Sequence, residues 1–279
     1  MTMPPPDRPA LTDRSALLRQ RDRAVRQGFV DVLHRLAADE IKDRLSEINR
    51  RFTAPAVVTG FPHLWAEAFR DARIVPDHPV LDLEPGAHDL VIHAMALHWA
   101  DDPVGQIVQC ARALREDGLF IAVCFGGQTL HELRAALAQA EAEATGGLSP
   151  RILPMGEIRD MGQLLGRAGL ALPVADVVTQ KASYRDLFHL ARDLRAMGEG
   201  NAMAARLRRP TRAAVFARAA AIMAGHHPDR DDPSRVAVTF DLVFLTGWSP
   251  SDTQPKPLRP GSAKTRLEDA LNELRTKKT

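Results

Sequence analysis

The sequence of 279 residues contains only two cysteines, Cys110 and Cys124. Two thiols are too few for the disulfide framework of a small secreted protein. Each cysteine lies in an apolar run, so we expect buried, free thiols and a reducing compartment. Residues 1–7 also lack the basic segment and apolar core that are typical of a secretory signal peptide. Together these features predict a cytoplasmic protein.

Long apolar runs and a strong charge of one sign are absent as well. No apolar stretch reaches the roughly 20 residues that a membrane span requires, so no membrane span is expected. The net charge is only +2, which provides no general attraction to nucleic acid. Aromatic residues make up only 5% of the chain and do not interleave the basic clusters. The composition therefore predicts a globular protein that does not bind nucleic acid.

Composition divides the chain into a proline-rich start, one long domain and a polar tail. The start is predicted to be disordered, and the domain is predicted to have helices first, a nucleotide-binding type of core next, and a partner- or substrate-facing half last. The predicted boundaries are 1–12 for the start, 13–250 for the domain with parts 13–50, 51–125 and 126–250, and 251–279 for the tail, which includes a weak helix over 267–274.

From Pro55 onward, strand and helix patterns alternate, as they do in a parallel sheet covered by helices on both faces. Asp102 and Pro103 predict the start of one of these helices, because aspartate caps a helix and proline suits its first position. Two late strands follow the parallel set and predict an antiparallel pair at one sheet edge. The predicted strands are 54–59, 79–83, 89–95, 119–124, 171–179 and 235–248.

Glycine is scarce where a nucleotide-binding loop would have to be. Gly60 follows the first predicted strand and is the only glycine between Arg51 and Pro85. A nucleotide loop needs several glycines, because its backbone approaches the ligand closely and some residues take positive φ. A tight turn and a reduced cofactor loop are both possible interpretations of Gly60.

Several polar and aromatic side chains around the central strand are candidates for a site. Asp82-Leu83 precedes this strand, and an acid at a strand end can hydrogen-bond a ribose or an adenine amino group; a simple turn is the alternative. His93, His98 and Trp99 stand on or just after the strand, where α/β enzymes place their sites. Either histidine could act as a general base, with packing in the core as the alternative. Their five-residue spacing puts them on opposite strand faces, which argues against a shared metal.

The segment Phe125-Gly126-Gly127-Gln128-Thr129-Leu130 links a predicted strand to a predicted helix. Backbone N–H groups at such a helix start could hold an anion. Strand-to-helix loops also use glycine routinely, so a structural turn is the alternative.

Many segments of the chain resemble one known family. On them the chain is identified as a member of the methyltransferase-like family of alphaproteobacteria and mitochondria. Its mitochondrial branch contains the NADH dehydrogenase (complex I) assembly factor described as arginine-modifying. A more distant relative is the malonyl-acyl-carrier-protein methyltransferase of biotin synthesis. The resembling segments are Asp13-Arg14, Arg21-Asp22-Arg23-Ala24, Asp43-Arg44-Leu45, Ala96-Leu97-His98-Trp99, Asp117-Gly118-Leu119-Phe120, 126–134, 146–151, 164–169, 193–201, Thr246-Gly247-Trp248 and 254–262.

The resemblance implies an α/β fold, the Rossmann-like sheet of class I methyltransferases, with S-adenosylmethionine as cofactor. The family's acidic strand end, Asp-Leu-Gly-x-x-x-Gly, has no counterpart between Arg51 and Asp89. This interval of roughly thirty residues has room for about one βα unit plus a strand. We therefore expect a class I sheet truncated by about one strand–helix unit, with an N-terminal helical segment and an antiparallel C-terminal strand pair.

The resemblance also assigns the candidate site. Gly60, Asp82, Leu83, His93 and Trp99 would bind the cofactor, and His98 would be the catalytic base. Because most polar partners of an adenosine are missing, each worth about 1–3 kcal/mol when buried, cofactor binding should be weak or lost. We expect side chains of Phe61, His63 or Trp65 to fill the space beside Gly60.

Two classes of function follow from the resemblance. The first is an S-adenosylmethionine-dependent enzyme of the complex I assembly-factor type with a reduced pocket. The second is a non-catalytic pseudo-methyltransferase that acts as an assembly or chaperone protein through 126–134, 197–201 and 254–262. Both predict a protein substrate or partner, with a respiratory-complex subunit as one candidate.

Overall fold

A computed structural model describes residues 10–254 of the chain. The predicted tail helix over 267–274 lies outside the described residues, as does most of the predicted disordered start. The described part contains eight α-helices, one 3₁₀ helix and six strands. The helices are α1 (Arg14–Gln27), α2 (Val32–Glu47), α3 (Pro62–Ala68), α4 (Pro103–Ala113), α5 (His131–Thr145), α6 (Ile158–Arg167), α7 (Leu187–Ala196) and α8 (Ala213–His226). The strands are β1 (Pro55–Thr59), β2 (Arg73–Pro76), β3 (His88–Ala94), β4 (Leu114–Gly126), β5 (Ala171–Tyr184) and β6 (Val236–Trp248).

The six strands form one sheet in the order β2-β1-β3-β4-β6-β5. Strands β1 to β4 are parallel, and β6 is antiparallel to both β4 and β5. This is the α/β sheet of class I methyltransferases, and the predicted antiparallel strand pair is confirmed. Residues 77–87, between β2 and β3, contain no further strand or helix. The expected loss of one strand–helix unit is therefore confirmed within the described residues.

One strand was placed wrongly from the sequence. The prediction of a strand over 79–83 is wrong, because those residues are irregular and the second strand is β2. β2 has only four residues and pairs with β1 alone. A short edge strand that begins with Arg73 and ends with Pro76 carries neither a long apolar run nor an alternation that sequence inspection can recognise.

Apolar side chains fill both faces of the sheet. One face packs against α2, α5, α7 and α8, and the other packs against α4 and α6. Every residue of β3 is buried, as expected for the centre of a parallel sheet. Cys110 and Cys124 are both buried and free, and burial raises the pKa of the Cys124 thiol to about 12.

Local signals explain where several helices begin and end. The Asp102 carboxylate accepts a hydrogen bond from the Gly105 backbone N–H at 2.8 Å, and Pro103 occupies the first turn of α4, as predicted. The Asp13 carboxylate caps α1 by accepting from the Ala16 N–H at 2.9 Å. Gly146 ends α5 in the left-handed conformation, with φ of 72°.

One carboxylate of α5 binds the loop that follows this helix through several hydrogen bonds. Glu141 of α5 accepts hydrogen bonds from Arg151 Nε at 2.9 Å, Arg151 Nη2 at 2.6 Å and Ser149 Oγ at 2.5 Å. The bonds from Arg151 lower the pKa of Glu141 to about 2. Because this pKa lies below its ordinary value of 4.5, the interaction stabilises the fold above pH 4.5 and is lost as the pH falls toward 2.

We expect Glu141→Gln to lower the free energy of unfolding by about 2–3 kcal/mol at neutral pH, because a charged hydrogen-bond acceptor is removed from a guanidinium that is only 14% exposed. The loss should shrink as the pH is lowered from 4.5 toward 2 in urea-denaturation measurements. Glu143→Gln on the same helix is the matched control, since its pair with Arg218 is exposed and screened. Equal losses for the two variants would contradict this account.

Candidate functional site

The carboxyl ends of β1, β2 and β3 meet at one edge of the sheet. Gly60 follows β1, Asp77 follows β2, and a short 3₁₀ helix, Leu97–Trp99, follows β3. Open α/β sheets bind their ligands at this edge, and in dinucleotide-binding members an acid after the second strand accepts hydrogen bonds from a ribose. By position, Asp77 is the acid of this kind in the chain.

Two arginines of α1 form ion pairs with the Asp77 carboxylate. Arg21 Nη1 lies 2.9 Å from both carboxylate oxygens of Asp77. Arg14 donates to the same carboxylate at 3.2 and 3.3 Å and to the Asp77 carbonyl at 2.8 Å. Burial alone would raise the pKa of Asp77, but the charges of Arg21 and Arg14 outweigh burial and hold the pKa below its ordinary value. The carboxylate is therefore ionised and fully engaged with the chain's own cations.

The Arg21 side chain also covers Gly60. A Cβ atom added to Gly60 would lie 2.1 Å from Arg21 Nη1 and 2.3 Å from Cζ, so the guanidinium rests directly on this glycine. Phe61 is buried beside it, stacks on Phe29 with ring centroids 4.4 Å apart, and has the Arg21 guanidinium carbon 5.5 Å from its ring centroid. Arg21 and Phe61 thus lie directly against Gly60, and a cavity of about 520 Å³ that all three residues line remains beside them.

The expectation that Phe61, His63 or Trp65 lies against Gly60 is met by Phe61. Trp65 packs in the core, where its Nε1 donates to His34 Nδ1 at 3.2 Å. Burial lowers the pKa of His34 to about 4, so this imidazole is a neutral acceptor. His63 is exposed on the rim. Sequence inspection missed Arg21, which lies against the same glycine.

A buried carboxylate lies on the other side of this edge. Glu199, in the loop after α7, accepts hydrogen bonds on Oε2 from Trp99 Nε1 at 2.8 Å and contacts His98 Nε2 at 3.2 Å. Its second oxygen, Oε1, has no hydrogen-bond partner among the described residues. Burial raises the pKa of Glu199, but His98 and Arg21 outweigh burial and leave the pKa below its ordinary value. Glu199 is thus an ionised carboxylate with one unpaired oxygen.

This carboxylate lines a cavity of about 210 Å³, here called the Glu199 cavity. Its walls are mainly apolar and aromatic, and they come from the 3₁₀ helix, the start of α5, α7, α8 and the strands β4 and β6. Segments 126–134 and 197–201, which carry the family resemblance, both contribute residues to the walls. The principal lining residues are His98, Trp99, Phe125, Phe216, Phe240 and Glu199.

The structure separates the six site residues expected from the sequence. Gly60 lies at the edge beneath Arg21, and His98 and Trp99 line the Glu199 cavity. His93 is fully buried, and its Nε2 lies 3.0 Å from Gln106 Oε1. Burial lowers the pKa of His93, so this residue is a neutral core histidine, as in the alternative given above.

The two remaining candidates, Asp82 and Leu83, lie away from the site. Asp82 is exposed and pairs at 2.8 Å with Arg73, the first residue of β2. Gly60 follows the last residue of β1, the parallel neighbour of β2, so the two residues lie at opposite ends of this strand pair. Leu83 packs, partly buried, against the core on the α4 and α6 face. The second strand was predicted at 79–83, which made Asp82 an acid at a strand end. The second strand of the structure, β2, ends at Pro76, just before Asp77.

The glycine loop before α5 is a structural turn. The Gln128 N–H donates to Asp241 Oδ2 at 2.7 Å, and a Cβ atom on Gly127 would lie 2.5 Å from the same oxygen. A carboxylate of β6 therefore occupies the place where the sequence suggested that an anion could bind. Across the part of the chain that the structure describes, no group of three or more metal-ligating side chains occurs, and no helix is long and apolar enough to cross a membrane.

Comparison with known proteins identifies sequence relatives, although no protein-family model matches the chain. It is 36% identical over 196 residues to the mitochondrial arginine-hydroxylase NDUFAF5 of Danio rerio, a match that covers 70% of this chain and 60% of the relative. The human protein of that name is 35% identical, with 68% and 54% covered. The malonyl-[acyl-carrier protein] O-methyltransferase of Laribacter hongkongensis is 32% identical, with 68% and 61% covered. The match thus spans between 54% and 61% of the length of these relatives.

Solved structures share the fold at low sequence identity. YcgJ from Bacillus subtilis gives a TM-score of 0.48 at 10% identity and covers 77% of this chain and 99% of that one. Phosphoethanolamine N-methyltransferase 2 from Haemonchus contortus gives 0.40 at 11% identity, with 76% and 53% covered.

We expect Gly60→Ala to destabilise the protein by about 1–3 kcal/mol, because the new methyl group must displace the Arg21 guanidinium from a packed site. Gly166→Ala is the matched control: it lies in α6 with open space around the added Cβ and should stabilise the fold by about 0.5–1 kcal/mol. Urea denaturation of both variants measures the two effects. If Gly60→Ala proved neutral or stabilising, the observed position of Arg21 over Gly60 would not be required for the stability of the fold.

Proposed function

Because this chain belongs to the methyltransferase-like family that includes NDUFAF5 and the malonyl-[acyl-carrier protein] O-methyltransferases, we propose that it is a protein of the complex I assembly-factor type whose S-adenosylmethionine binding is weakened or lost. In this proposal it acts by binding a protein partner, with a respiratory-complex subunit as the candidate. Its action as a pseudo-methyltransferase, and not as a methyl-transferring enzyme, is the form that the geometry supports best.

The observation that carries this proposal is the position of Arg21. Its guanidinium rests on Gly60 and pairs with Asp77, so the two groups that would face the cofactor's nucleoside are both covered. A ribose would have to compete with two guanidinium groups for one carboxylate, and charged hydrogen bonds are about twice as strong as neutral ones. The residues present at this corner do not fit S-adenosylmethionine.

The Glu199 cavity supports the part of the proposal that concerns binding of a protein partner. An ionised carboxylate with an unpaired oxygen attracts a cation, and aromatic walls favour a flat guanidinium, which stacks on rings as well as donating hydrogen bonds. The relatives named arginine-hydroxylase act, by that name, on arginine. We propose that an arginine side chain of the partner enters the cavity and donates to Glu199 Oε1. Two arginines also line the cavity: Arg151 is neutralised by Glu141, and Arg195 is exposed, so its charge is screened by water.

The second candidate function is an S-adenosylmethionine-dependent enzyme with a rebuilt pocket. His98 favours it, because a histidine in contact with a buried carboxylate has the arrangement of a general base. This function requires Arg21 to leave Gly60 and Asp77.

We expect N-acetyl-L-arginine methylamide to bind the protein measurably, and the neutral isostere N-acetyl-L-citrulline methylamide to bind at least about tenfold more weakly, a difference of 1.4 kcal/mol. In Glu199→Gln, which keeps the shape of the side chain and removes its charge, the preference for arginine should disappear. Ligand-observed nuclear magnetic resonance or calorimetry provides the affinities.

Glu143→Gln is the matched control variant, because it removes a carboxylate of α5 that lies outside the cavity lining and pairs with Arg218 at the surface. It should keep the preference for the arginine compound. Equal binding of the two compounds to the wild-type protein would contradict a guanidinium site at Glu199.

A further inference from the structure

Exposed arginines lie around the Glu199 cavity. Arg195 of α7 belongs to the cavity wall. A neighbouring cavity of about 400 Å³ shares Arg151 with the Glu199 cavity, so the two adjoin. The neighbouring cavity adds Arg209 and Arg212, which precede α8 and are both exposed.

Helix α1 contributes a fourth arginine. The side chain of Gln20 reaches the wall of the Glu199 cavity, where its Nε2 donates a hydrogen bond to the Asn201 carbonyl at 3.1 Å. Arg23 lies about one turn further along the same flank of α1 and is exposed. The exposed arginines around the cavity, here called the basic surface, are Arg23, Arg195, Arg209 and Arg212.

The acids that line the two cavities do not balance the basic surface. Glu141 and Glu143 form ion pairs with Arg151 and Arg218. The third acid, Glu199, has a side chain that is only 8% exposed. None of the four arginines of the basic surface forms an ion pair or a side-chain hydrogen bond among the described residues. Excess positive charge therefore faces solvent around a cavity that contains one buried negative charge.

We infer that the basic surface binds carboxylate side chains of the protein partner, on either side of the arginine that enters the Glu199 cavity. This inference rests on the proposed function and names the partner's chemistry: an arginine flanked by aspartate or glutamate residues. A polyphosphate backbone would match the basic surface but would leave Glu199 without a cation, whereas one protein segment supplies both charges. Exposed ion pairs are individually weak, but several together steer association and fix its register.

Three peptides test this inference on the full chain by calorimetry at neutral pH. The first is acetyl-Glu-Asp-Gly-Arg-Gly-Asp-Glu-amide, and the second has glutamine and asparagine in place of its four acids. The third keeps the acids and has citrulline in place of arginine. The first peptide should bind at least about tenfold more tightly than the second at roughly 0.1 M salt, and this ratio should fall toward one at roughly 1 M salt.

Three results would overturn the inference. They are equal affinities of the first and second peptides at the lower salt, no binding of the first peptide, and duplex DNA that binds more tightly than the first peptide. The third peptide separates this inference from the proposed function. If it binds as tightly as the first, the guanidinium site fails while the basic surface still binds carboxylates.

A double variant assigns the binding of carboxylates to the basic surface. Arg209→Gln combined with Arg212→Gln removes two of its charges and leaves the wall of the Glu199 cavity unchanged, since neither residue lines that cavity. It should lower the affinity for the first peptide at least about threefold and leave the affinity for the second peptide unchanged.

The matched control is Arg159→Gln combined with Arg167→Gln. Both of these arginines are exposed on α6, which packs on the other face of the sheet, and neither forms an ion pair among the described residues. The control should keep the full affinity for the first peptide. Equal losses in the two double variants would show that only net charge matters and would overturn the assignment.

Discussion

The buried ion pair between Arg21 and Asp77 is the interaction on which the arrangement of the site depends. Both groups are almost fully removed from water, at 3% and 6% exposure, so each needs the other. Breaking such a pair by removing one partner typically costs about 3–5 kcal/mol, because the remaining charge stays buried without compensation. The pair therefore fixes α1 across the carboxyl edge of the sheet. The same contact that stabilises the fold places a guanidinium over Gly60.

The shortened sheet and the covered Gly60 corner are physically connected. A full strand–helix unit between β2 and β3 is replaced by the irregular segment 77–87, and β2 remains a four-residue edge strand. A buried acid at the end of such a strand cannot stay unpaired, and α1 supplies two cations to it. In contrast, the half of the sheet that carries β4, β5 and β6 is complete, and it surrounds the Glu199 cavity. A shortened edge at β2 and a complete half around β4, β5 and β6 are thus compatible within one stable fold.

Much of the fold could be predicted from local pattern. The buried strand β3, the capped start of α4 and the antiparallel pair of β5 and β6 all follow from apolar runs and from helix-start and chain-order signals. The acid at the end of β2 could not be found in this way, because four residues do not establish a strand pattern. Asp82 was preferred for that reason, although it lies exposed beside Arg73 at the other end of β2.

The ion pairs of the site were beyond sequence inspection for a different reason. Arg21 meets Asp77 across 56 positions, and Glu199 meets Trp99 across 100, so no spacing rule links them. An arginine on an amphipathic helix is expected to face water, and only tertiary packing buries it. The one available signal was the family resemblance, which included both Arg21-Asp22-Arg23-Ala24 and the segment 193–201, but it assigned only a partner-binding role to 197–201 and no role to Arg21. His98 and Trp99 were expected to share a pocket with Gly60; in the structure they line the Glu199 cavity, and their acidic partner was not foreseen.

The central claim, that the chain's own arginine closes the cofactor corner, is tested most directly by calorimetric titration of the folded protein with S-adenosylhomocysteine and S-adenosylmethionine. Because the ribose acid and the loop glycine are both covered, the account predicts dissociation constants near millimolar or no detectable heat, roughly 4 kcal/mol weaker than a micromolar site. Micromolar binding of either compound by the wild-type protein would contradict the account, since it would require Arg21 to release both Gly60 and Asp77.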